Sequence, residues 1–218
     1  MSACPKKRVG VLISGRGSNM QSLVTGSRAP DASAEIVAVI ANRADAAGLQ
    51  WARDNGIAAI SIDHKVFADR AAFDARIHEE LVAACVDIVA LAGFMRILTP
   101  DFVARWQGRM INVHPSLLPL FPGLHTHARA LDAGMKVAGC TVHFVTAEMD
   151  VGPIVAQAAV PIMPDDTPDT LAARVLSAEH RIYSQALQWV STGAVTFETA
   201  ATARYGAGCD KSVLIMPE

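Results

Sequence analysis

The chain is poor in charge, in aromatic residues and in cysteine. Charged residues make up 18% of its 218 positions and aromatics 6%, and the formal net charge is −2. So balanced a charge offers no long-range attraction for a polyanion, and nucleic acid is not an expected partner. A locally positive pocket for a small anion stays compatible with it, because net charge does not report distribution. The four cysteines, Cys4, Cys85, Cys140 and Cys209, form no C-x-x-C pair and no dense framework. They read as reduced thiols in a cytosol, with Cys85 and Cys140 expected as small buried hydrophobes. No apolar run reaches the ~20 residues of a membrane helix. The basic stretch Lys6-Lys7-Arg8 precedes an apolar run, broken by Gly10, that is too short for a signal sequence. A soluble, cytoplasmic protein is expected.

What the chain does have is aliphatic side chains in short runs. Val9–Ser14, Ile36–Ala41, Ile57–Ile62, Val86–Ala92 and Met110–His114 read as buried strands. Helix-like segments separate them, at 18–25, 45–55, 69–84 and 99–106. Asn55-Gly56 reads as a helix stop, and Thr99-Pro100 as a cap followed by the first helical position. Alternating strands and helices predict an α/β fold with a doubly wound, mostly parallel, Rossmann-like sheet. Beyond Pro115 the pattern changes. A segment with three prolines, Pro115–Gly123, is followed by a helix-like stretch at 126–133. The alternating runs 137–145 and 154–160 predict an antiparallel extension of the sheet, joined by a turn around Asp150-Val-Gly-Pro153. Asp165-Asp-Thr-Pro-Asp169 opens a long helix to about Val190, and 192–218 carries little pattern.

Ligands on such sheets bind at the carboxyl ends of the strands, so the residues that follow each strand are the ones to inspect. After the first strand comes Gly15-Arg-Gly-Ser-Asn19. Glycines leading into a helix expose N–H groups at the positive end of its dipole, a site for phosphate. The same residues serve equally as a tight turn with no ligand. A nicotinamide dinucleotide fits poorly, because Met20 stands where a third glycine belongs and Asn42-Arg43 where an acid would hold a ribose. After the fourth strand, Ala92–Leu98 offers apolar walls and a backbone for hydrogen bonds, suiting a flat heteroaromatic ring or an ordinary buried loop alike.

Asn112 and His114 lie two apart in the fifth strand and therefore project from one face. An amide and an imidazole thus converge beside the expected ligand crevice. Asp150 sits in a turn, where aspartate commonly caps its own backbone. If that turn folds over the sheet edge, its carboxylate meets His114 and stabilises an imidazolium able to donate to an oxyanion. His125, His127, His143 and His180 invite a metal reading, but the first two do not match zinc-ligand spacing with cysteines, no carboxylate partner sits in register, and no metal is expected.

Gly15–Asn19, Leu91–Leu98, Ile111–Pro119, Pro122–His127, Thr141–Val145 and Asp150–Pro153, in this order and spacing, resemble the phosphoribosylglycinamide formyltransferases. These are the folate-dependent enzymes of purine synthesis, and the likeness runs from about Arg8 to Val190. It implies one formyltransferase domain, with a phosphate-binding half at about 8–106, a catalytic and folate-binding half at about 107–190, and a tail at 191–218. It implies Asn112, His114 and Asp150 as the catalytic trio. Gly17, Ser18 and Asn19 become the phosphate loop, with Glu179 toward the ribose. Met95, Arg96, Ile97 and Leu98 become the folate-ring pocket, assisted by Arg70 and Asn112. No tightly bound cofactor is implied. The co-substrate is 10-formyltetrahydrofolate, the partners are small molecules, and the assembly is a monomer or homodimer. A formyltetrahydrofolate hydrolase is the nearest alternative, but a first strand near Arg8 leaves no room for the regulatory domain such enzymes carry. A methionyl-tRNA formyltransferase would need a further RNA-binding domain and a basic surface.

Overall fold

A computed structural model describes residues 5–206 and 214–215. Within it the chain forms two compact units, 1–111 and 112–218. The first holds the strands β1 (Lys7–Ile13), β2 (Ala34–Ala41), β3 (Ala58–Ser61) and β4 (Ile88–Leu91). Its helices are α1 (Ser18–Ser27), α2 (Ala47–Asp54), α3 (Arg70–Ala83) and α4 (Pro100–Arg105). The strands are ordered β4-β1-β2-β3, and every pair is parallel. β1 therefore has its successor on one side and β4 on the other. The loops after β1 and β4 flank the point where the order reverses, the position at which open α/β sheets bind ligands.

These strands form where the sequence supplies unbroken aliphatic runs. Val9, Val11, Leu12, Ile13, Val39, Ile40 and all of β4 are buried, as expected of strands covered on both faces. Helix starts follow their caps: the Asp69 carboxylate accepts from Ala72 N–H, and the Thr99 hydroxyl from Phe102 N–H. α2 ends at Asn55, and Gly56 follows with φ 74°.

The second unit contains most of β5 (Met110–His114), then α5 (Thr126–Asp132), β6 (Val137–Phe144), β7 (Ile154–Pro161) and α6 (Pro168–Thr192). β8 (Val195–Phe197) and β9 (Ala203–Tyr205) pair as a separate antiparallel ribbon, and β10 (Leu214–Ile215) lies parallel to β7. The strand order here is β10-β7-β6-β5, with β6 and β7 antiparallel as the alternating runs predicted. α6 buries Leu171, Val175, Ala178, Ile182 and Ala186, one stripe at helical spacing.

Two details differ from the sequence reading. Cys85 is exposed and has φ 51°, because it sits in the turn just after α3; only Cys140 is buried. Cys4 and Cys209 lie outside the described residues. α6 opens within the expected Asp165–Asp169 segment, with Thr167 as its N-cap: Thr167 and Thr170 form a reciprocal capping box, and Asp166 is engaged by Arg174. The ribbon β8–β9 carries no run long enough to have been recognised. Among the described residues no helix is long and apolar enough to cross a membrane.

The capping box makes a measurable claim. Thr167→Ala removes the acceptor for Thr170 N–H, and urea denaturation should show a loss of about 1 kcal/mol.

Candidate active site

In the second unit, β5 brings Asn112 and His114 to one face two residues apart, and the turn between β6 and β7 brings Asp150 to them. His114 is buried, and its Nδ1 lies 3.5 Å from Asp150 Oδ2. Its Nε2 is 3.1 Å from the carbonyl oxygen of Phe121. A carbonyl can only accept, so Nε2 carries a hydrogen. The same Asp150 oxygen accepts from Gly123 N–H at 2.9 Å, and Oδ1 lies 3.9 Å from His143 Nε2.

The turn takes this shape for local reasons. Asp150 has φ 58°, a left-handed conformation that aspartate tolerates better than most residues. Two positions on, a Cβ at Gly152 would stand 1.8 Å from the Phe144 carbonyl oxygen, so no other residue lets the chain pass there. The acid and the glycine of Asp-x-Gly thus have separate duties: one supplies the carboxylate and the other permits the approach that aims it.

The proline-containing segment 115–123 is fastened within the same unit. The Thr141 hydroxyl donates to the Ser116 carbonyl and accepts from Leu118 N–H, and the Gln157 amide donates to the Leu118 carbonyl. Arg129 donates to the carbonyls of Pro122 and Leu124 and lies over the Phe121 ring. This fastening fixes the Phe121 carbonyl and the Gly123 N–H that meet His114 and Asp150. Phe121 and His125 have φ of 53° and 57°, backbone strain of the kind that gathers at functional sites.

His143 is the residue that sequence reasoning left out of the site. The regular β6–β7 register breaks between Val142 and His143, and such an irregularity re-aims a side chain. His143 Nδ1 lies 2.9 Å from the Phe144 carbonyl oxygen and Nε2 lies 3.2 Å from Asn112 Nδ2. Burial is the main cause that lowers its pKa, and the nearby Asp150 carboxylate opposes it. Its position in Thr141-Val-His143, seven residues before Asp150, was the only available signal.

In the first unit, Gly17 caps α1 with φ 71° and contributes no side-chain bond, and the first turn holds no acidic residue. Ser18 is the first helical residue and Asn19 is buried. In the loop after β4, Met95 and Ile97 are 65% and 63% exposed while Leu98 is buried and Arg96 half-buried. The backbone of this loop is not wholly free, however: Met95 N–H donates to the Ser14 hydroxyl at 2.8 Å. That bond ties the β4 loop to the β1 loop. Arg70 is exposed at the first position of α3. In the second unit, Glu179 is buried on α6. Burial, then Glu179, pushes the Cys140 thiol far up, leaving it neutral and unreactive. Among the described residues no three His, Cys, Asp or Glu side chains are grouped to hold a metal ion.

An α/β chain whose strand ends carry this Asn, His and Asp group invites comparison with known proteins. Residues 7–187 match the family model described as Formyl transferase, and the chain belongs to that family. It is 45% identical over 183 residues to the phosphoribosylglycinamide formyltransferase of Escherichia coli, covering 84% of this chain and 86% of that one. It is 53% identical over 195 residues to the trifunctional purine biosynthetic protein adenosine-3 of Bos taurus, matching 89% of this chain but only 19% of that protein. Among solved structures, glycinamide ribonucleotide transformylase 1 of Symbiobacterium toebii superposes with a TM-score of 0.89 at 45% identity, over 92% of this chain and 94% of that one.

Four histidines, His78, His127, His143 and His180, have pKa values lowered chiefly by burial. Below the ordinary value of about 6.5 the unfolded chain takes up protons that the folded chain refuses. Stability should therefore be highest above about pH 7 and decline as the pH falls toward 5. Thermal melts across this range check the sign, and His143→Gln should flatten the decline. A melting temperature that rises on acidification would contradict the assignment.

Proposed function

We propose that this chain transfers the formyl group of 10-formyltetrahydrofolate to the amine of N1-(5-phospho-D-ribosyl)glycinamide, a step of cytoplasmic purine synthesis. The observation that carries the reading is the Asp150 carboxylate 3.5 Å from His114, with Asn112 two residues away on the same strand face, in a chain of the formyl transferase family. The names of the relatives support the substrates.

The chemistry follows from these groups. The neutral glycinamide amine attacks the formyl carbon, a C–N bond forms, and the carbonyl oxygen becomes an oxyanion. Asn112 donates an amide N–H to it. His114, with the Asp150 carboxylate beside its Nδ1, supplies positive charge beside the oxyanion in its protonated form. Both ring nitrogens of His114 are engaged, so direct donation requires Nε2 to exchange the Phe121 carbonyl for the oxyanion. The amine's proton passes through Asp150 and water to the folate nitrogen, the oxyanion collapses, and the carbon–nitrogen bond to the folate breaks to release tetrahydrofolate and the formylated product. The substrate brings its own nucleophile, so no side chain is acylated, and the folate is consumed once per turnover.

Binding roles are assigned by the same reading. Gly17, Ser18 and Asn19 receive the phosphate: the glycine cap and the absence of an acid in the first turn leave the positive helix end open to an anion. Glu179 serves the ribose. Met95, Arg96, Ile97 and Leu98, with Arg70 and Asn112, serve the folate ring; the exposure of Met95 and Ile97 suits an apolar ligand face.

Folate turnover measured with and without glycinamide ribonucleotide tests the proposal. Formyl transfer that requires the amine supports it, whereas loss of the formyl group regardless of the amine identifies a hydrolase. In the same assay His114→Ala and Asp150→Asn should each lower kcat by about 100- to 1000-fold while changing KM far less. Near-normal turnover by His114→Ala would remove its role.

A further inference from the structure

His143 is 2% exposed, and both of its ring nitrogens have partners. The Phe144 carbonyl at Nδ1 accepts, so Nδ1 bears the hydrogen. Asn112 presents its amide nitrogen to Nε2 at 3.2 Å. An amide nitrogen donates and has no lone pair to offer, so this contact exists only where Nε2 is bare. The two contacts together describe one species, a neutral imidazole protonated at Nδ1.

We infer that His143 is a positioning residue: its bare Nε2 locks the Asn112 carboxamide with the nitrogen turned toward it, which leaves the second amide N–H to meet the oxyanion. The inference rests on the role given to Asn112 above. Were His143 an imidazolium, two donors would face each other, and the carboxamide would turn over to present Oδ1. The N–H groups would then stand where the oxygen had been, and the oxyanion would lose its donor.

The surroundings favour the neutral form. The groups facing His143 are Asp150 from the turn after β6, with Oδ1 3.9 Å away, and His114 from β5. Burial, the largest influence, and His114 oppose a charged ring, while the Phe144 carbonyl and then Asp150 favour it. One carboxylate stands between two imidazoles, nearer to His114 than to His143. The arrangement divides the work: His114 takes the nearer carboxylate oxygen, and His143 stays neutral and orients the amide.

Nitrogen NMR of the full chain with labelled histidine tests this directly. At pH 7.5 the resonances lost in His143→Gln should be a protonated Nδ1 and a bare Nε2; the opposite tautomer or an imidazolium overturns the inference. In steady-state kinetics His143→Leu should lower kcat by about tenfold or more, with KM for both substrates within about threefold. His143→Gln, whose side-chain carbonyl can accept from Asn112, should recover most of that loss. Equal kcat losses in both variants, or a shared rise in KM, would make the role merely structural. If His143→Leu does not fold, the spectra of the native chain decide. A native chain that transfers no formyl group overturns the functional proposal, and its spectra still read the tautomer.

Discussion

The site depends on one carboxylate held in a narrow turn. Asp150 reaches His114 because the chain passes the Phe144 carbonyl so closely that position 152 has no room for a Cβ, and because Asp150 itself takes a left-handed backbone. A Gly123 N–H then fixes the carboxylate from the other side. Were the turn to relax outward, His114 would lose the carboxylate beside its Nδ1, and His143 would lose a neighbour that favours its protonation. The Phe144 carbonyl stands at the centre of these constraints, since it limits Gly152 and also accepts from His143.

Around this carboxylate each polar group has a distinct partner. Asn112 faces His143, His114 faces Asp150 and the Phe121 carbonyl, and Asp150 faces Gly123. Buried polar groups of this kind are expensive unless they are paired, and a paired network holds its members in one geometry. Such fixed orientation is what an oxyanion site requires, because donors that need not reorganise stabilise developing charge best. In the other unit the loops after β1 and β4 are bound by the Ser14–Met95 hydrogen bond, so two loops to which ligand roles are assigned share one fastening.

Much of the fold was legible because it is local. Runs rich in aliphatic residues marked β1, β2, β4 and β5, alternation marked β6 and β7, and Asn55-Gly56 and Thr99-Pro100 marked helix ends by their own stereochemistry. The strand periodicity also put Asn112 and His114 together, and the Asp-x-Gly turn pointed to Asp150. Features that depend on distant contacts were not legible. The placement of His143 beside Asn112 goes with a break in the β6–β7 register, and register is set by pairing, not by composition. The use of Met95 N–H by Ser14 joins residues 81 positions apart. Cys85 was misread because a hydrophobic residue type says nothing of a turn that carries it outward.

A crystal structure of the unliganded chain near neutral pH measures the central feature most directly. The account predicts the Asp150 carboxylate about 3.5 Å from His114 Nδ1 with Gly123 N–H bonded to it, as found here. A turn that leaves Asp150 facing solvent, with His114 paired to some other group, would contradict it.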